Sequence, residues 1–205
     1  MSEQGGPVHE LEVKAPVADP AALRRHLLES GAVAGFEGMM EDRLFDREDA
    51  LTARDEVVRV RTWRPSGAPP RAQMAWKGPT RRSPDGYKLR DELEFPVEGD
   101  GAAPSQFLGA LGYRVWRAID RFVEVYRVRE AEVRLEWYPR MDVMVEVEGT
   151  PASIEAAIGA SGMPRALFEP EPLAEFVRRY ELRTGEPAVL AVSDLKEGRP
   201  QWERR

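Results

Sequence analysis

Apolar and polar residues alternate with a period of two along much of this chain. In DEVVRVRTW, Val58 and Val60 alternate with Arg59 and Arg61. Because successive side chains of a β-strand point to opposite faces of the sheet, this period predicts strands. Turn-rich stretches such as RPSGAPP and TRRSPDG separate them, which favours antiparallel hairpins in meander order. The predicted strands cover residues 8–17, 35–46, 55–63, 71–79, 86–97, 113–128, 131–139 and 142–149.

Four other segments have helical signals. Asp19 followed by Pro20 starts a predicted helix in 18–32, and Thr150 followed by Pro151 starts another in 150–161. A short helix fits 103–112. In 171–185, one helical face carries an apolar set: Leu173, Phe176, Val177 and Tyr180. The remaining residues, 186–205, fit either a short hairpin or a loose tail.

The charged residues share strand faces, since side chains at positions i and i+2 point the same way. Such rows include Glu10, Glu12 and Lys14; Arg59 and Arg61; Lys88, Arg90, Glu92 and Glu94; Glu132, Arg134 and Glu136; and Glu146 and Glu148. Two architectures produce this pattern. An open antiparallel sheet shows its charged face to water, whereas a closed barrel turns that face into a polar lumen and covers its apolar outside with helices.

The distribution of the charges favours the barrel. Acids concentrate in the first and last strands, while arginine and lysine dominate the middle ones. A solvated face needs no such sorting. A site for an anion bound together with a cation does need it, because carboxylates hold the metal while lysine and arginine hold phosphate oxygens.

Composition narrows the chemistry further. The chain has 205 residues, no cysteine and only two histidines, which excludes disulfides, thiolate sites and multi-histidine metal sites. A metal must therefore be held by carboxylates, which favours Mg²⁺ or Mn²⁺. The length fits one domain over 1–205. The absence of a long apolar run and of a signal-like N-terminus leads us to expect a cytoplasmic protein with no membrane partner.

The ordered motifs resemble the CYTH superfamily of triphosphate tunnel metalloenzymes, which includes class IV adenylate cyclases and thiamine and inorganic triphosphatases. The resemblance covers about residues 8–183, which leaves 184–205 as a C-terminal extension. Its motifs are Glu10-x-Glu12-x-Lys14, Arg59-x-Arg61, Lys77 within WKGP, Arg90-x-Glu92-x-Glu94 and Glu146-x-Glu148.

The resemblance implies an α+β fold, with a closed antiparallel barrel of about eight strands and helices packed outside. It implies metal binding by Glu10, Glu12, Glu146 and Glu148, and by Glu136 in a place where aspartate is more usual. It implies phosphate binding by Lys14, Arg59, Arg61, Lys77 and Arg90. The family's Lys-x-Arg strand is replaced by Arg117 and Arg121 without that spacing, so either or both can serve. Glu10, Glu12 and Lys14 are the expected catalytic residues.

The implied activity is metal-dependent chemistry on a small-molecule triphosphate such as ATP, thiamine triphosphate or tripolyphosphate. Water as nucleophile gives hydrolysis, and the ribose 3′-hydroxyl of ATP gives cyclic AMP and pyrophosphate. A non-catalytic polyphosphate- or nucleotide-binding module is the alternative. The net charge of −6 and the acids interleaved with the bases argue against nucleic acid as a partner. We expect a monomer or a homodimer.

Overall fold

The structure is a computed structural model that describes residues 8–204; residues 1–7 and Arg205 of the predicted single domain lie outside the described residues. The strands are β1 (Val8–Pro16), β2 (Val33–Asp46), β3 (Val57–Pro65), β4 (Arg71–Lys77), β5 (Arg81–Arg82), β6 (Lys88–Val97), β7 (Arg114–Val128), β8 (Ala131–Trp137) and β9 (Met144–Glu148). The α-helices are α1 (Pro20–Glu29), α2 (Ala102–Ala110), α3 (Pro151–Ser161) and α4 (Leu173–Thr184). Short 3₁₀ turns occupy Thr52–Arg54, Arg165–Leu167, Val192–Asp194 and Gln201–Arg204.

Eight of the strands close into an antiparallel barrel in the order β1-β9-β8-β7-β2-β3-β4-β6, with β6 returning to β1. The first strand closes the ring by dividing its pairing: residues 8–12 pair with β6 and residues 12–16 pair with β9. The predicted α+β barrel with helices outside is therefore confirmed. The strand β5 is an addition within the predicted TRRSPDG turn, where Arg81 and Arg82 pair with β6.

Helices α1 and α3 cover the apolar outer face of β1, β8 and β9. Leu23 and Leu27, four residues apart in α1, are almost fully buried and belong to the same core cluster as Ile154 and Ile158 of α3. Valines that alternate with the charged residues of β8 and β9, such as Val133 and Val147, complete this core. The barrel is thus apolar on this outer side, which leaves its charges for the lumen.

Helix α4 closes part of one end of the barrel. Its predicted apolar face, Leu173, Phe176, Val177 and Tyr180, packs as expected and meets residues of the barrel. These partners are Leu44, Ile119, Tyr138 and Met144, which share strand faces with charged lumen residues. An apolar layer therefore bounds the charged lumen at this end.

The segment after α4 lies against the barrel. The Leu190 carbonyl accepts a hydrogen bond from the Asp120 amide at 2.7 Å, and the Val192 amide donates to the Asp120 carboxylate at 2.8 Å. Val189 forms an antiparallel bridge with Arg140. The expected alternatives of a short hairpin or a loose tail are both wrong for residues 189–192, because these residues pair with the barrel. No helix in residues 8–204 has the length and apolar character needed to cross a membrane.

The turn after β2 depends on one carboxylate. Asp46 is buried and accepts hydrogen bonds from the amides of Arg47, Leu51 and Thr52 and from the Thr52 hydroxyl, at 2.6–3.0 Å. Burial alone would raise the pKa of Asp46, but these donors lower it to about 2. The ionised carboxylate therefore stabilises the folded state.

We predict that Asp46→Asn lowers the free energy of unfolding by about 2 kcal/mol at neutral pH. The substitution removes the negative charge and one of the two oxygens that accept hydrogen bonds from the turn. A group whose pKa is lowered on folding contributes stability above its unfolded pKa of about 4, and this contribution is lost as the pH falls toward its folded value. The difference between wild type and variant in urea unfolding should be equal at pH 7 and pH 5 and smaller at pH 3. Asp85→Asn, at an exposed turn residue, is the matched control; an equal loss in both variants would contradict this role.

Candidate functional site

The charged strand faces point into the barrel and line two adjoining cavities. The inner cavity has a volume of about 160 Å³ and the outer one about 400 Å³, and both are bordered by Glu10, Arg59, Arg61, Lys77 and Arg134. The remaining sequence-predicted residues found along one or both cavities are Glu12, Lys14, Arg90, Arg121, Glu136, Glu146 and Glu148. The lumen architecture therefore accounts for the charge pattern, and the open solvated sheet does not.

Three of the predicted metal ligands meet at one point. Glu10, Glu146 and Glu148 each place one carboxylate oxygen within 4.8 Å of the others. β1 and β9 bring them together because Glu12 pairs with Glu148 and Lys14 pairs with Glu146 across these strands. Such an all-oxygen cluster can bind a metal, and its chemistry suits a hard divalent cation.

The electrostatics of this cluster fit a cation. Burial raises the pKa of Glu148 above its ordinary value, and the negative charge of Glu10 adds to this effect although Arg134 opposes it. Burial and Glu12 also act to raise the pKa of Glu10, but Lys77, 2.5 Å away, brings it down to about 2. Neighbouring carboxylates thus repel one another at this point, and a divalent cation would relieve that repulsion.

The other two predicted metal ligands lie outside this cluster. Glu12 forms ion pairs with Lys14 at 2.5 Å and with Lys88. Burial would raise its pKa, but these ammonium groups hold the pKa of Glu12 well below its usual range. Glu136 accepts from Arg121 at 3.1 Å and from the Tyr138 hydroxyl at 2.5 Å. Both oxygens of Glu136 are therefore engaged in orienting other side chains.

A row of cations faces the acidic cluster. Lys77 lies between Glu10 at 2.5 Å and Glu92 at 3.1 Å. Arg59 contacts Glu94 at 3.2 Å and Glu92 at 3.5 Å. All of these groups line the outer cavity. An anion entering there would meet positive charges that protein carboxylates already hold in place.

Asp42 and Arg134 are lumen residues that the sequence reasoning did not select as site residues. Asp42 is 3% exposed and accepts two hydrogen bonds from Arg61, at 2.6 and 2.8 Å, and one from Arg121 at 3.1 Å. Burial opposes ionisation, yet the arginines hold the pKa of Asp42 well below its usual range. Arg134 contacts Glu146 and lies 3.1 Å from Glu148. Its position in the Glu132-x-Arg134-x-Glu136 row was the available signal.

The arginines keep unsatisfied donors inside the lumen. Nε of Arg59, Nη1 of Arg121 and Nε of Arg134 are buried and have no hydrogen-bond partner among the described residues. Buried polar groups are nearly always paired, because leaving one unpaired costs on the order of 1–3 kcal/mol. Three such donors around one cavity indicate a place for oxygen-rich anions.

Arg90 and Arg117 differ from the other predicted phosphate ligands. Arg90 lines the inner cavity, but its guanidinium donates to the carbonyl oxygens of Gly78 at 2.6 Å and Asp55 at 2.5 Å. These bonds fasten the loop that follows Lys77. Arg117 is half-buried, stacks near Trp116 with 6.0 Å between its guanidinium carbon and the ring centre, and lines neither lumen cavity. Of the two arginines left open by the sequence, only Arg121 reaches the lumen in this structure.

Comparisons with known proteins bear on the fold. No protein-family model matches this chain, and no curated protein matches it. Among solved structures, a candidate adenylate cyclase from Vibrio parahaemolyticus is similar, with a TM-score of 0.67 and 16% identity over 85% of this chain and 99% of that one. A candidate adenylyl cyclase from Hippeastrum, described as having a dominant triphosphatase activity, gives a TM-score of 0.57 and 18% identity over 90% of this chain and 99% of that one.

A chain of the Schizosaccharomyces pombe Mediator head module matches with a TM-score of 0.55 and 12% identity over 73% of this chain and 89% of that one. Likeness at such identities concerns the fold, and the activity must be argued from the site. The chain shares the fold of these solved structures, and this fold is the closed barrel that its ordered motifs implied.

Proposed function

We propose that this protein binds triphosphate compounds together with Mg²⁺ or Mn²⁺ and hydrolyses them. The observation that carries the proposal is the presence of two features in one lumen: the carboxylate cluster of Glu10, Glu146 and Glu148, and buried arginine donors that have no partner in the part of the chain that the structure describes. A metal and a polyanion together would satisfy both.

The side chains would divide the work by charge. Glu10, Glu146 and Glu148 would hold the metal, which supplies Lewis-acid stabilisation of charge on phosphate oxygens. Arg59, Arg61, Lys77, Lys14 and Arg121 would bind the phosphates. Attack at phosphorus builds negative charge on the equatorial and leaving oxygens, and cations fixed in a sparsely solvated lumen stabilise that charge without having to reorganise.

Acids of the lumen would position these cations. Glu12 holds Lys14 and Lys88, and Asp42 holds Arg61 and Arg121. A phosphate oxygen could then accept from donors that the acids leave free, such as Nη1 of Arg121, while the carboxylates keep the guanidinium groups oriented.

Hydrolysis is our preferred reaction. Cyclisation of ATP requires the ribose 3′-hydroxyl to lie in line with the α-phosphorus, and the shared motifs supply no residue for that task. Water needs no such placement of a sugar. The dominant triphosphatase activity of the similar Hippeastrum protein supports this choice.

A non-catalytic binding module is the second candidate, and the Mediator head chain favours it because that chain has the same fold within a multiprotein assembly. In that case the lumen would bind a triphosphate without turnover. Nucleic acid remains an unfavoured partner, since acids alternate with bases along the lumen strands.

The first prediction of this proposal concerns ligand charge. Tripolyphosphate should raise the melting temperature much more than monophosphate, because only the longer anion spans the lumen cations and binding to the folded state stabilises it. Arg61→Ala should remove most of this difference in a thermal shift assay. An equal response to both anions would contradict an extended polyanion site.

The second prediction uses Asp42. Asp42→Asn should lower the free energy of unfolding by about 3–5 kcal/mol without ligand, because three arginines lose a buried counter-charge. Tripolyphosphate should stabilise this variant more than the wild type, since the anion replaces the missing carboxylate. Asp120→Asn is the control, because Asp120 is also buried but pairs with Arg43 outside the lumen. Equal stabilisation of both variants by tripolyphosphate would contradict the idea that the anion takes the place of the Asp42 carboxylate.

The third prediction tests the metal. Activity should disappear in EDTA and return with Mg²⁺ or Mn²⁺, and titration calorimetry should show at least tenfold weaker Mn²⁺ binding in Glu10→Gln and Glu148→Gln. Glu94→Gln removes an acid that lines the same cavity outside the cluster, and it should retain Mn²⁺ affinity. Full activity in EDTA would refute metal dependence.

The fourth prediction identifies the reaction. With Mn²⁺ and, in parallel, ATP, thiamine triphosphate and tripolyphosphate, chromatography should detect orthophosphate as a product. Cyclic AMP with pyrophosphate as the main products would instead establish cyclisation. Tight binding with no product from any of the three would support the binding module.

A further inference from the structure

A second type of cavity opens beside the charged mouth of the lumen. Its volume is about 320 Å³, and its walls include Val33, Ala34, Phe36 and Val125. It lies where β2 and β7 pair irregularly: the register shifts between Ala34 and Glu37. Bulges of this kind redirect a side chain and are common next to binding sites. The cavity is thus produced by a local departure from the regular barrel.

Aromatic and cationic groups occupy the edge of this cavity. The rings of Phe36 and Trp63 meet edge to face, with centroids 4.8 Å apart and planes at 81°. The guanidinium carbon of Arg71 lies 5.3 Å from the centre of the Trp63 ring and 5.9 Å from that of Phe36. Gly38 leaves room for this arrangement, because a Cβ at that position would come within 3.0 Å of Cζ of Phe36.

These three side chains differ in accessibility. Trp63 is buried, Phe36 is half-buried and Arg71 is exposed. Within the described chain the Arg71 side chain forms no ion pair or hydrogen bond, although its backbone pairs with Trp63, so its guanidinium donors are not committed to a carboxylate. Trp63 therefore packs beneath Phe36 and Arg71, whose accessible surfaces can contact a ligand.

The aromatic cavity adjoins the phosphate-lined one. Trp63, Arg71 and Glu132 border both. A triphosphate in the lumen that carries an organic substituent must place this substituent away from the ion-paired interior, because an apolar ring there would strip buried charges of their partners. The adjoining cavity presents aliphatic and aromatic walls directly beside the outer lumen cavity.

We infer that the cavity formed by Phe36, Trp63 and Arg71 binds the aromatic ring of a triphosphate ester, such as a nucleobase or another heteroaromatic ring. This inference rests on the proposed function. It makes the preferred substrate class a ring-bearing ester, with inorganic tripolyphosphate bound only by its phosphates. Phe36 supplies the ring contact, and Arg71 supplies cation–π contact and donors for ring nitrogen or oxygen atoms.

The test compares dissociation constants measured by titration calorimetry for ATP, thiamine triphosphate and tripolyphosphate. Wild type should bind at least one of the two ring-bearing compounds more tightly than tripolyphosphate. Phe36→Ala should weaken the binding of that ring-bearing compound about tenfold, which is the effect expected from the loss of one stacking contact. The affinity for tripolyphosphate should change less than twofold. Phe36→Leu, which retains apolar packing against Trp63, should show the same selective loss.

Phe107→Ala is the matched control, since Phe107 is an exposed phenylalanine of α2 outside both cavities. Melting without ligand checks that each variant is folded. Equal affinity of wild type for all three compounds, or equal weakening of all three by the Phe36 substitutions, would overturn the inference while leaving the proposed function intact. Failure of all three compounds to bind the wild type would overturn both.

Discussion

Burial of charge inside a closed barrel is the constraint on which the rest of this structure depends. A charge removed from water costs several kcal/mol unless a partner of opposite sign compensates it. The lumen meets this requirement with acids and bases that alternate around the ring, as in the contacts of Lys14 with both Glu12 and Glu146. Each strand has only two faces, so strands with charged residues on the inner face have apolar residues on the outer face. Helices α1 and α3 cover part of this apolar outer face.

The compensation is incomplete in a way that favours ligands. Glu12 and Asp42 are held ionised by cations, whereas burial and like charge raise the pKa of Glu148. One buried donor each of Arg59, Arg121 and Arg134 lacks an acceptor within residues 8–204. One part of the lumen therefore has an excess of negative charge and another has unused donors. A metal and an anion bound together would correct both imbalances, while either alone would correct one.

The sequence allowed the barrel and most lumen residues to be predicted because the alternation of charge and apolar residues has the same period as the pleat. It did not allow Asp42 to be predicted, since its neighbours on the same face are Met40 and Leu44, and a single acid among apolar residues gives no row. Arg90 and Glu136 line the lumen cavity, but their bonds to the Gly78 carbonyl and the Tyr138 hydroxyl depend on tertiary contacts, which the alternation along a strand does not reveal. The cavity beside Phe36 arises from a bulge, which periodicity does not reveal.

The divided pairing of β1 has a consequence for how the molecule is made. Its first half pairs with β6 and its second half with β9. The ring therefore closes only after β9, the last strand in chain order, has been synthesised and has paired with β1. Contacts between such distant parts of a chain form slowly, because the chain loses the entropy of loop closure before the contacts can stabilise it. Glu10 meets Glu146 and Glu148 only through this closure. A nascent chain that stops before β9 consequently has neither a complete ring nor the three-carboxylate cluster, because Glu146 and Glu148 lie on that strand.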